Sequence, residues 1–423
     1  MSPRLACLAM LLSAGRLSAQ TMPDADRIVL DKAQAAQNAG RYLEEEALLR
    51  PLATRAGSDQ NEYARQLWEQ ATGRMGGDRP LRPAEPLDDE DRADLKRIAG
   101  ATARDAIAEI VARAKSTRVV ILNENHGEPR NRAFALTVAQ ALRPLGYDVL
   151  AAETFGNDPD PQAYATSMAR LAHDGYVRRT TGYYTSDPVF ADFVRQALAL
   201  GYRPVAYESN VEPPATASVY EQISAREQAQ SDNLIAHALR VYPTAKILIY
   251  VGYSHAAEAP FDRDGKPLAW MAARLKQATG VDPLTIDQTT LLPRSIDDRS
   301  PVAAAIAKAG RRSAVLFAGG KPLVFGHYAG KVDLQVVHPA LPHIGGRPGW
   351  LPAMGRTPAP VPAGLLPTHG TRLVQAFVAR EATDAVPVDQ VLVTAGQPAP
   401  MLMLRKAAVR YAVQDESTPT LAK

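Results

Sequence analysis

Apolar positions between residues 91 and 338 follow two alternating patterns. Short, nearly continuous apolar runs are separated by segments in which apolar residues recur at helical spacing; the runs are residues 118–122, 148–152, 203–207, 246–251 and 283–287. Continuous apolar runs are typical of strands that are buried on both faces of a parallel sheet. The pattern therefore predicts an α/β fold with a mostly parallel sheet covered by helices on both faces. The helices predicted between these strands are residues 95–114, 131–142, 188–200, 215–241 and 268–279.

The flanking segments have different patterns. Residues 27–75 predict an N-terminal helical hairpin, part of which is similar to one unit of a tetratricopeptide repeat. Residues 76–90 have the Gly, Pro and charge content of a linker. The proline-rich residues 339–370 predict an extended segment, and residues 371–415 predict a small antiparallel β unit with four short strands.

The N-terminus is typical of a secretory signal peptide. Arg4 precedes an apolar stretch over residues 5–14, and Ala19 provides a small residue for cleavage, so we expect residues 1–19 to be removed and the protein to be periplasmic or secreted. No later stretch reaches about 18 uninterrupted apolar residues, so we expect no transmembrane segment in the mature chain. Cys7 is the only cysteine and lies within the signal, which excludes a disulfide scaffold and, after cleavage, a cysteine nucleophile.

The charge balance bears on the partners. The 48 Lys and Arg residues against 45 Asp and Glu give a formal charge of +3, which provides no electrostatic footprint for nucleic acid. We therefore expect a small-molecule or peptide substrate, and a protein partner could bind through the N-terminal helices.

Titratable residues follow four successive predicted strands. Glu124 and His126 follow the first strand, Glu153 the second, Glu208 the third and His255 the fourth. A single Glu at such a position is most often a helix cap or a surface charge, and a single His is most often structural. The carboxyl ends of parallel strands meet at one edge of a sheet, however, and clustered carboxylates are costly unless they are paired. The set therefore predicts a functional crevice.

The long predicted helix over residues 215–241 contributes a candidate cation. Arg226 shares one helix face with Gln230 and Asn233, and that face could point into the crevice, where Arg226 would neutralise the carboxylates or stabilise an oxyanion. The adjacent Glu227 leaves the alternative that the two residues form a solvent-exposed pair. Arg130 and Arg132, in the helix after His126, have the same two interpretations.

Two other patterns suggest different chemistry. Residues 252–256 (GYSHA) approximate the nucleophile elbow of α/β-hydrolases with Ser254 as the nucleophile, although Ala256 replaces the last glycine. Haem or another planar ligand could be ligated by, or stack on, Tyr183, Tyr184, Tyr207, Tyr253 and His255, although packing in the core or at the rim is the more common role for such tyrosines.

The order of the motifs resembles that of a known superfamily. Strand–N-E-N-H, strand–A-E-T-F, a helix with R-E-x-x-x-x-x-N and strand–G-Y-S-H-A are similar to the group of erythromycin esterases, ChaN-like haem-binding lipoproteins and TraB/TIKI proteases, with the spacing at His126 closest to the ChaN-like pattern. The resemblance covers about residues 95–290. It implies that one pocket contains Glu124, His126, Glu153, Arg226 and His255. Asn123 replaces the glycine usual in the first motif.

Three functional hypotheses remain open. In the leading one, His126 takes a proton from a water near Glu124 and Glu153, the water attacks an ester or amide, and Arg226 and His255 stabilise the oxyanion or protonate the leaving group. A divalent metal bound by His126, His255 and Glu153 is a variant of this hydrolase. The second hypothesis is ChaN-like binding of haem or a small ligand without catalysis, and the third is an interaction module.

Overall fold

The computed structural model describes residues 23–55, 60–77, 86–211, 213–214, 216–263, 265–293 and 299–416. The predicted signal peptide and residues 78–85 of the predicted linker lie outside these ranges. The helices of the described part are α1 (Asp24–Asn38), α2 (Tyr42–Ala53), α3 (Gln60–Arg74), α4 (Asp89–Ala99), α5 (Ala106–Ala114), α6 (Pro129–Leu142), α7 (Pro161–Asp174), α8 (Pro188–Ala199), α9 (Val219–Leu234), α10 (Met271–Thr279) and α11 (Pro301–Ala309). Among the described residues, no helix has both the length and the apolarity needed to span a bilayer.

A central sheet contains the predicted parallel strands. In the order in which they pair, its strands are β1 (Thr102–Asp105), β9 (Ala314–Ala318), β11 (Leu334–Val337), β8 (Leu284–Asp287), β2 (Val119–Glu124), β5 (Lys246–Gly252), β3 (Tyr147–Ala152) and β4 (Arg203–Ala206), and a short β10 (Lys321–Pro322) also pairs with β9. The strands from β11 to β4 are parallel, whereas β1, β9 and β10 add antiparallel pairs. The predicted α/β class is confirmed.

The apolar runs form strands because both of their faces are buried. In β2, Val120 and Leu122 face a core formed with α6 and α8, whereas Val119 and Ile121 face a second core formed with α9 and α10. All six residues of β2 are buried. Helices therefore cover both faces of the sheet, and the carboxyl ends of the strands remain at one edge.

Two predicted helices have different limits in the structure. Residues 95–114 form α4, strand β1 and α5 instead of one helix, since α4 ends at Gly100 and β1 pairs with β9 from much later in the chain. Within the predicted helix over residues 215–241, the structure has α9 from Val219, followed by a π turn over Ile235–Leu239.

The N-terminal prediction of two helices was incomplete. A third helix, α3, packs against α1 and α2 through Tyr63, Ala64 and Leu67. Its sequence is mostly polar, so its apolar stripe is short. The three helices also contact the C-terminal part of the chain, because the side-chain amide of Gln390 donates to the carbonyl of Arg74 and that of Gln414 donates to the carbonyl of Gly40.

The C-terminal part contains small antiparallel sheets. β13 (Thr371–Val378) pairs with β14 (Asp389–Thr394) and β16 (Val409–Asp415), as predicted for an antiparallel unit, whereas β15 (Leu402–Leu404) pairs with β12 (Thr357–Ala359) from the proline-rich segment. A two-stranded hairpin, β6 (Phe261–Arg263) and β7 (Lys266–Leu268), lies after β5.

Buried ion pairs hold the proline-rich segment to its neighbours. Arg347 makes a bidentate contact with Asp389 at 2.9 and 3.1 Å, and Arg356 contacts Asp192 of α8 at 3.1 Å. This segment is therefore packed between the sheet domain and the β unit.

Candidate functional site

The titratable residues at the strand ends converge as predicted from the sequence. β2, β5, β3 and β4 are neighbours in the sheet, and each delivers a polar residue to the same edge. Arg226 from α9 joins these groups, since its guanidinium lies 2.7 Å from Glu153, 2.6 Å from Glu208 and 3.3 Å from His255. Glu153, Glu208, Arg226 and His255 thus form one network of contacts, whereas Glu124 and His126 form a separate pair beside it.

Glu124 and His126 form a paired carboxylate and imidazole. Glu124 Oε1 lies 2.8 Å from His126 Nδ1, and the same carboxylate accepts bonds of 2.8 and 3.0 Å from Arg132 and of 2.8 Å from the Tyr250 hydroxyl. Burial would raise the pKa of Glu124, but Arg132 and the hydrogen bond with His126 lower it to about 2. Glu124 is therefore ionised at neutral pH and favours a His126 tautomer with its proton on Nδ1.

Aromatic rings fix the orientation of His126. The Tyr184 ring stacks on it with centroids 3.9 Å apart and an interplanar angle of 14°, and Tyr253 contacts it edge-on at 5.1 Å. Gly252 allows the ring to approach strand β5, because a Cβ at that position would lie 2.7 Å from His126 Nε2 and 3.1 Å from Glu153 Oε2. His126 Nε2 and Glu153 therefore flank the same backbone position.

Arg226 balances two buried carboxylates. Glu208 accepts from Nε and NH2 of Arg226 at 3.0 and 2.6 Å and from Gln230 at 3.0 and 3.1 Å. Burial would raise the pKa of Glu208, but the charge of Arg226 lowers it. The side-chain amide of Asn233 donates to the carbonyl of Glu208, so the helix face predicted from the sequence does point at the crevice.

His255 is paired with Glu227, the carboxylate for which the sequence left a solvent-exposed position as an alternative. Its Nδ1 lies 2.8 Å from Glu227 Oε2, and Glu227 is fully buried and also accepts from the backbone N–H of Met271. Burial would lower the pKa of His255, but Glu227 and Glu153 raise it. The solvent-exposed alternative for Arg226 and Glu227 is therefore wrong, and so is the surface-charge alternative for Arg132, which is 3% exposed.

Exposure separates the groups that a ligand could contact from those that support them. The side chains of His126 and Arg226 are each 12% exposed, whereas those of Glu124, Glu153 and His255 are 2–5% exposed. A molecule that enters the crevice would therefore contact His126 and Arg226 first.

The backbone is strained where the last strand enters the site. Tyr253 has φ of 38°, which is unfavourable for a residue with a side chain. Asn123 stabilises this turn because its amide donates to the Tyr253 carbonyl at 3.1 Å and to the fully buried Asp287 at 2.8 Å. Asn123 thus supports the loop beside His126.

The remaining candidates have other surroundings. Tyr207 is fully buried in the core, where its hydroxyl donates to the carbonyl of Tyr250, whereas Tyr253 is 37% exposed. The Ser254 hydroxyl lies 3.5 Å from that of Tyr328, and within the described ranges no histidine contacts it. The Ser254 geometry therefore gives no support to a nucleophile elbow.

The metal and haem alternatives can be compared with the donor groups. Among the described residues, no group of three or more His, Cys, Asp or Glu side chains has the arrangement needed for a metal ion. Nε2 of His255 lies 3.3 Å from the Arg226 guanidinium, and both oxygens of Glu153 are hydrogen-bonded, one to Arg226 and one to the Gly252 N–H. The full burial of Tyr207 likewise does not fit haem ligation. As arranged, His255 and Glu153 therefore do not fit a bound metal ion, and Tyr207 does not fit haem.

Comparisons with known proteins give only distant structural similarity. No family model and no curated protein matches the chain. Matching solved structures include RRSP, a MARTX toxin effector domain from Vibrio vulnificus CMCP6, with 14% identity over 60% of this chain and 53% of that chain and a TM-score of 0.34. The type III effector HopBA1 matches with 16% identity over 48% of this chain and 92% of that chain, with a TM-score of 0.30.

A further match is the C-terminal region of Pasteurella multocida toxin, which is described as having a thiol-protease like catalytic triad. It has 11% identity over 89% of this chain and 61% of that chain, with a TM-score of 0.30. The present chain spans about half the length of the RRSP structure, at 53%.

Proposed function

We propose that the protein hydrolyses ester or amide bonds in a small-molecule or peptide substrate with a water activated by His126. The observation that carries the proposal is the 2.8 Å contact between His126 Nδ1 and the ionised Glu124, on a histidine that is partly exposed at the crevice. A carboxylate on Nδ1 holds the ring proton there and leaves the lone pair on Nε2 as the proton acceptor.

The proposed reaction uses these groups in two steps. His126 Nε2 accepts a proton from water as the water oxygen bonds to the substrate carbonyl carbon, and the carbonyl π electrons move to oxygen. The tetrahedral intermediate then collapses, the bond to the leaving oxygen or nitrogen breaks, and the proton on His126 Nε2 passes to that atom. The net change is addition of one water, and His126 returns to its neutral form.

Arg226 and His255 supply positive charge beside the reacting carbonyl. Arg226 is 12% exposed and is fixed by Glu153 and Glu208, so it does not need to reorganise as negative charge develops. His255 is held by Glu227, and Glu227 and Glu153 raise the pKa of His255, which favours its imidazolium form. Both features support electrostatic stabilisation of an oxyanion.

The resemblance of the motifs to the erythromycin esterase, ChaN-like and TraB/TIKI group supports the same proposal. The resemblance implies the same five residues that this proposal uses, Glu124, His126, Glu153, Arg226 and His255. The signal-like N-terminus supports action in the periplasm or outside the cell.

An activity panel tests the proposal. The purified protein is assayed on small esters and short peptides, with and without added Mn²⁺, Co²⁺ or Zn²⁺, together with His126→Ala and with His173→Ala as the matched control at an exposed position in α7. We expect His126→Ala to lower kcat/KM by about 10²–10⁴-fold and His173→Ala to have no effect. Wild-type turnover equal to that of His126→Ala on every substrate would refute the proposal.

A further inference from the structure

The Tyr184 hydroxyl is a buried polar group without a hydrogen-bond partner among the described residues. Tyr184 is 4% exposed, and its ring lies flat against His126. Buried hydroxyl groups normally have partners, because leaving one unsatisfied costs free energy. Because the ring that carries this unsatisfied hydroxyl contacts His126, the candidate general base, the hydroxyl is a candidate for binding the reacting molecule.

The loop that carries Tyr184 is built against the end of β3. The backbone N–H of Tyr184 donates to the Thr154 hydroxyl at 2.7 Å, and the N–H of Gly156 donates to the carbonyl of Thr181 at 2.9 Å. A Cβ on Gly182 would lie 1.9 Å from the carbonyl oxygen of Thr154, so only glycine permits this approach. The loop therefore places Tyr184 next to the segment that begins with Glu153.

The N-terminal helices support the same loop from the other side. The side-chain amide of Gln37 in α1 donates to the carbonyl of Tyr183 at 3.3 Å and to the Ser186 hydroxyl at 3.0 Å. Tyr183 contacts the Tyr184 ring edge-on at 5.1 Å. The position of Tyr184 is thus set by contacts on both sides, as expected of a preorganised group.

We propose that Tyr184 is a further catalytic residue, whose hydroxyl donates a hydrogen bond to the substrate carbonyl oxygen as it becomes an oxyanion. This inference rests on the proposed hydrolysis and assigns one of its donors. Burial and the nearby Glu153 raise the pKa of Tyr184 well above its ordinary value, so the hydroxyl keeps its proton at neutral pH. The donor complements Arg226, whose guanidinium is already shared between two carboxylates.

Removing only the hydroxyl gives a direct test. In the full chain, Tyr184→Phe keeps the ring that stacks on His126, and Tyr202→Phe is the matched control because the equally buried Tyr202 hydroxyl donates to the carbonyl of Ala139 at 2.8 Å. Both variants are assayed for kcat and KM on an ester that the wild type hydrolyses, for affinity toward the phosphonate analogue of that ester, and for Tm.

The two variants should respond in opposite ways. We expect Tyr184→Phe to lower kcat by about 10²–10³-fold and to weaken phosphonate binding by a similar factor, with KM little changed, because the bond forms in the transition state. The Tm of Tyr184→Phe should equal that of the wild type or be higher by up to about 2 °C, because an unsatisfied hydroxyl is removed. Tyr202→Phe should retain kcat and lose Tm.

Each contrary result identifies what fails. A Tyr184→Phe variant with kcat and phosphonate affinity within threefold of an active wild type overturns the role of Tyr184 and leaves the proposed hydrolysis intact. A Tm loss like that of Tyr202→Phe also overturns it, because the hydroxyl then has a structural partner. A wild type inactive on the whole panel overturns the hydrolase proposal and this inference with it.

Discussion

Replacing Arg226 with methionine would leave two buried carboxylates without their cation. Glu208 would keep its contacts with Gln230, and Glu153 would keep its contact with the Gly252 N–H. The bidentate contact of Arg226 with Glu208 and its 2.7 Å contact with Glu153 would be lost. Removing one partner of a buried ion pair typically costs about 3–5 kcal/mol. We expect the free energy of unfolding of Arg226→Met to fall by about this amount at pH 7.5.

The cost should depend on pH with a defined sign. In the wild type the pKa of Glu208 is lowered from its ordinary value of 4.5, so its stabilisation is present above that pH and is lost as the pH falls through the folded-state pKa. Without Arg226, burial raises the pKa of Glu208, and the carboxyl group is protonated more readily. The difference in the free energy of unfolding between the wild type and Arg226→Met should therefore become smaller as the pH falls from 7.5 toward 4.5.

Urea unfolding followed by tryptophan fluorescence at several pH values measures this difference. Arg240→Met is the matched control, since Arg240 is exposed just after the π turn that follows α9, and it should change stability by no more than about 0.5 kcal/mol. The double variant Arg226→Met/Glu208→Gln should recover part of the loss. A loss below about 1 kcal/mol, or one that is equal at all pH values, would refute the charge-balance argument.

Three further predictions concern the two histidines. Gly252→Ala places a methyl group 2.5 Å from His126 Cε1, about 1 Å closer than normal contact, so kcat/KM should fall by about 10²-fold. Unchanged kinetics would contradict the close approach of His126 to Gly252. Lowering the pH from 4.5 to about 2 should remove about 3 kcal/mol of the wild-type free energy of unfolding, which ionised Glu124 contributes. Acid-unfolding curves of Glu124→Gln should lack this pH dependence. NMR titration should give a His255 pKa above 6.5 in the wild type and a lower pKa in Glu227→Gln. The stabilisation that protonated His255 contributes should be present below pH 6.5 and lost as the pH rises through the raised pKa. The same His255 pKa in the wild type and in Glu227→Gln would exclude the pairing.

The strand-end residues could be predicted because their positions follow from local patterns. Continuous apolar runs indicated the strands, and parallel strands bring their carboxyl ends to one edge, so Glu124, Glu153 and His255 were placed together without tertiary information. The antiparallel strand β1 could not be found in this way. It pairs with β9 from a distant part of the chain, and its own four residues have no apolar alternation.

Glu227 was missed because an Arg–Glu dipeptide on a long helix usually lies in solvent. The sequence contained a weak signal for its burial. Glu227 lies four residues after the apolar Ile223 and seven before the apolar Leu234, so all three share one helix face, which is the buried stripe of α9. Only the packing of α10 against that stripe, through the Met271 N–H, shows why a charge is stable there. Arg132 was undecided for the same reason, because its partners Glu124 and Asp187 come from two other segments.

Contacts between the N-terminal helices and the last strands connect distant parts of the chain. Gly40 and Gln414, 374 residues apart in sequence, share a hydrogen bond, and Gln37 supports the loop that places Tyr184 on His126. Contacts between residues so far apart slow folding, since a long loop must close before they form. We therefore expect the crevice to reach its final geometry late in folding, after the last strands have been synthesised. A chain that ended before β13 would lack the contacts that Gln390 and Gln414 make with the N-terminal helices, which support the loop that carries Tyr184.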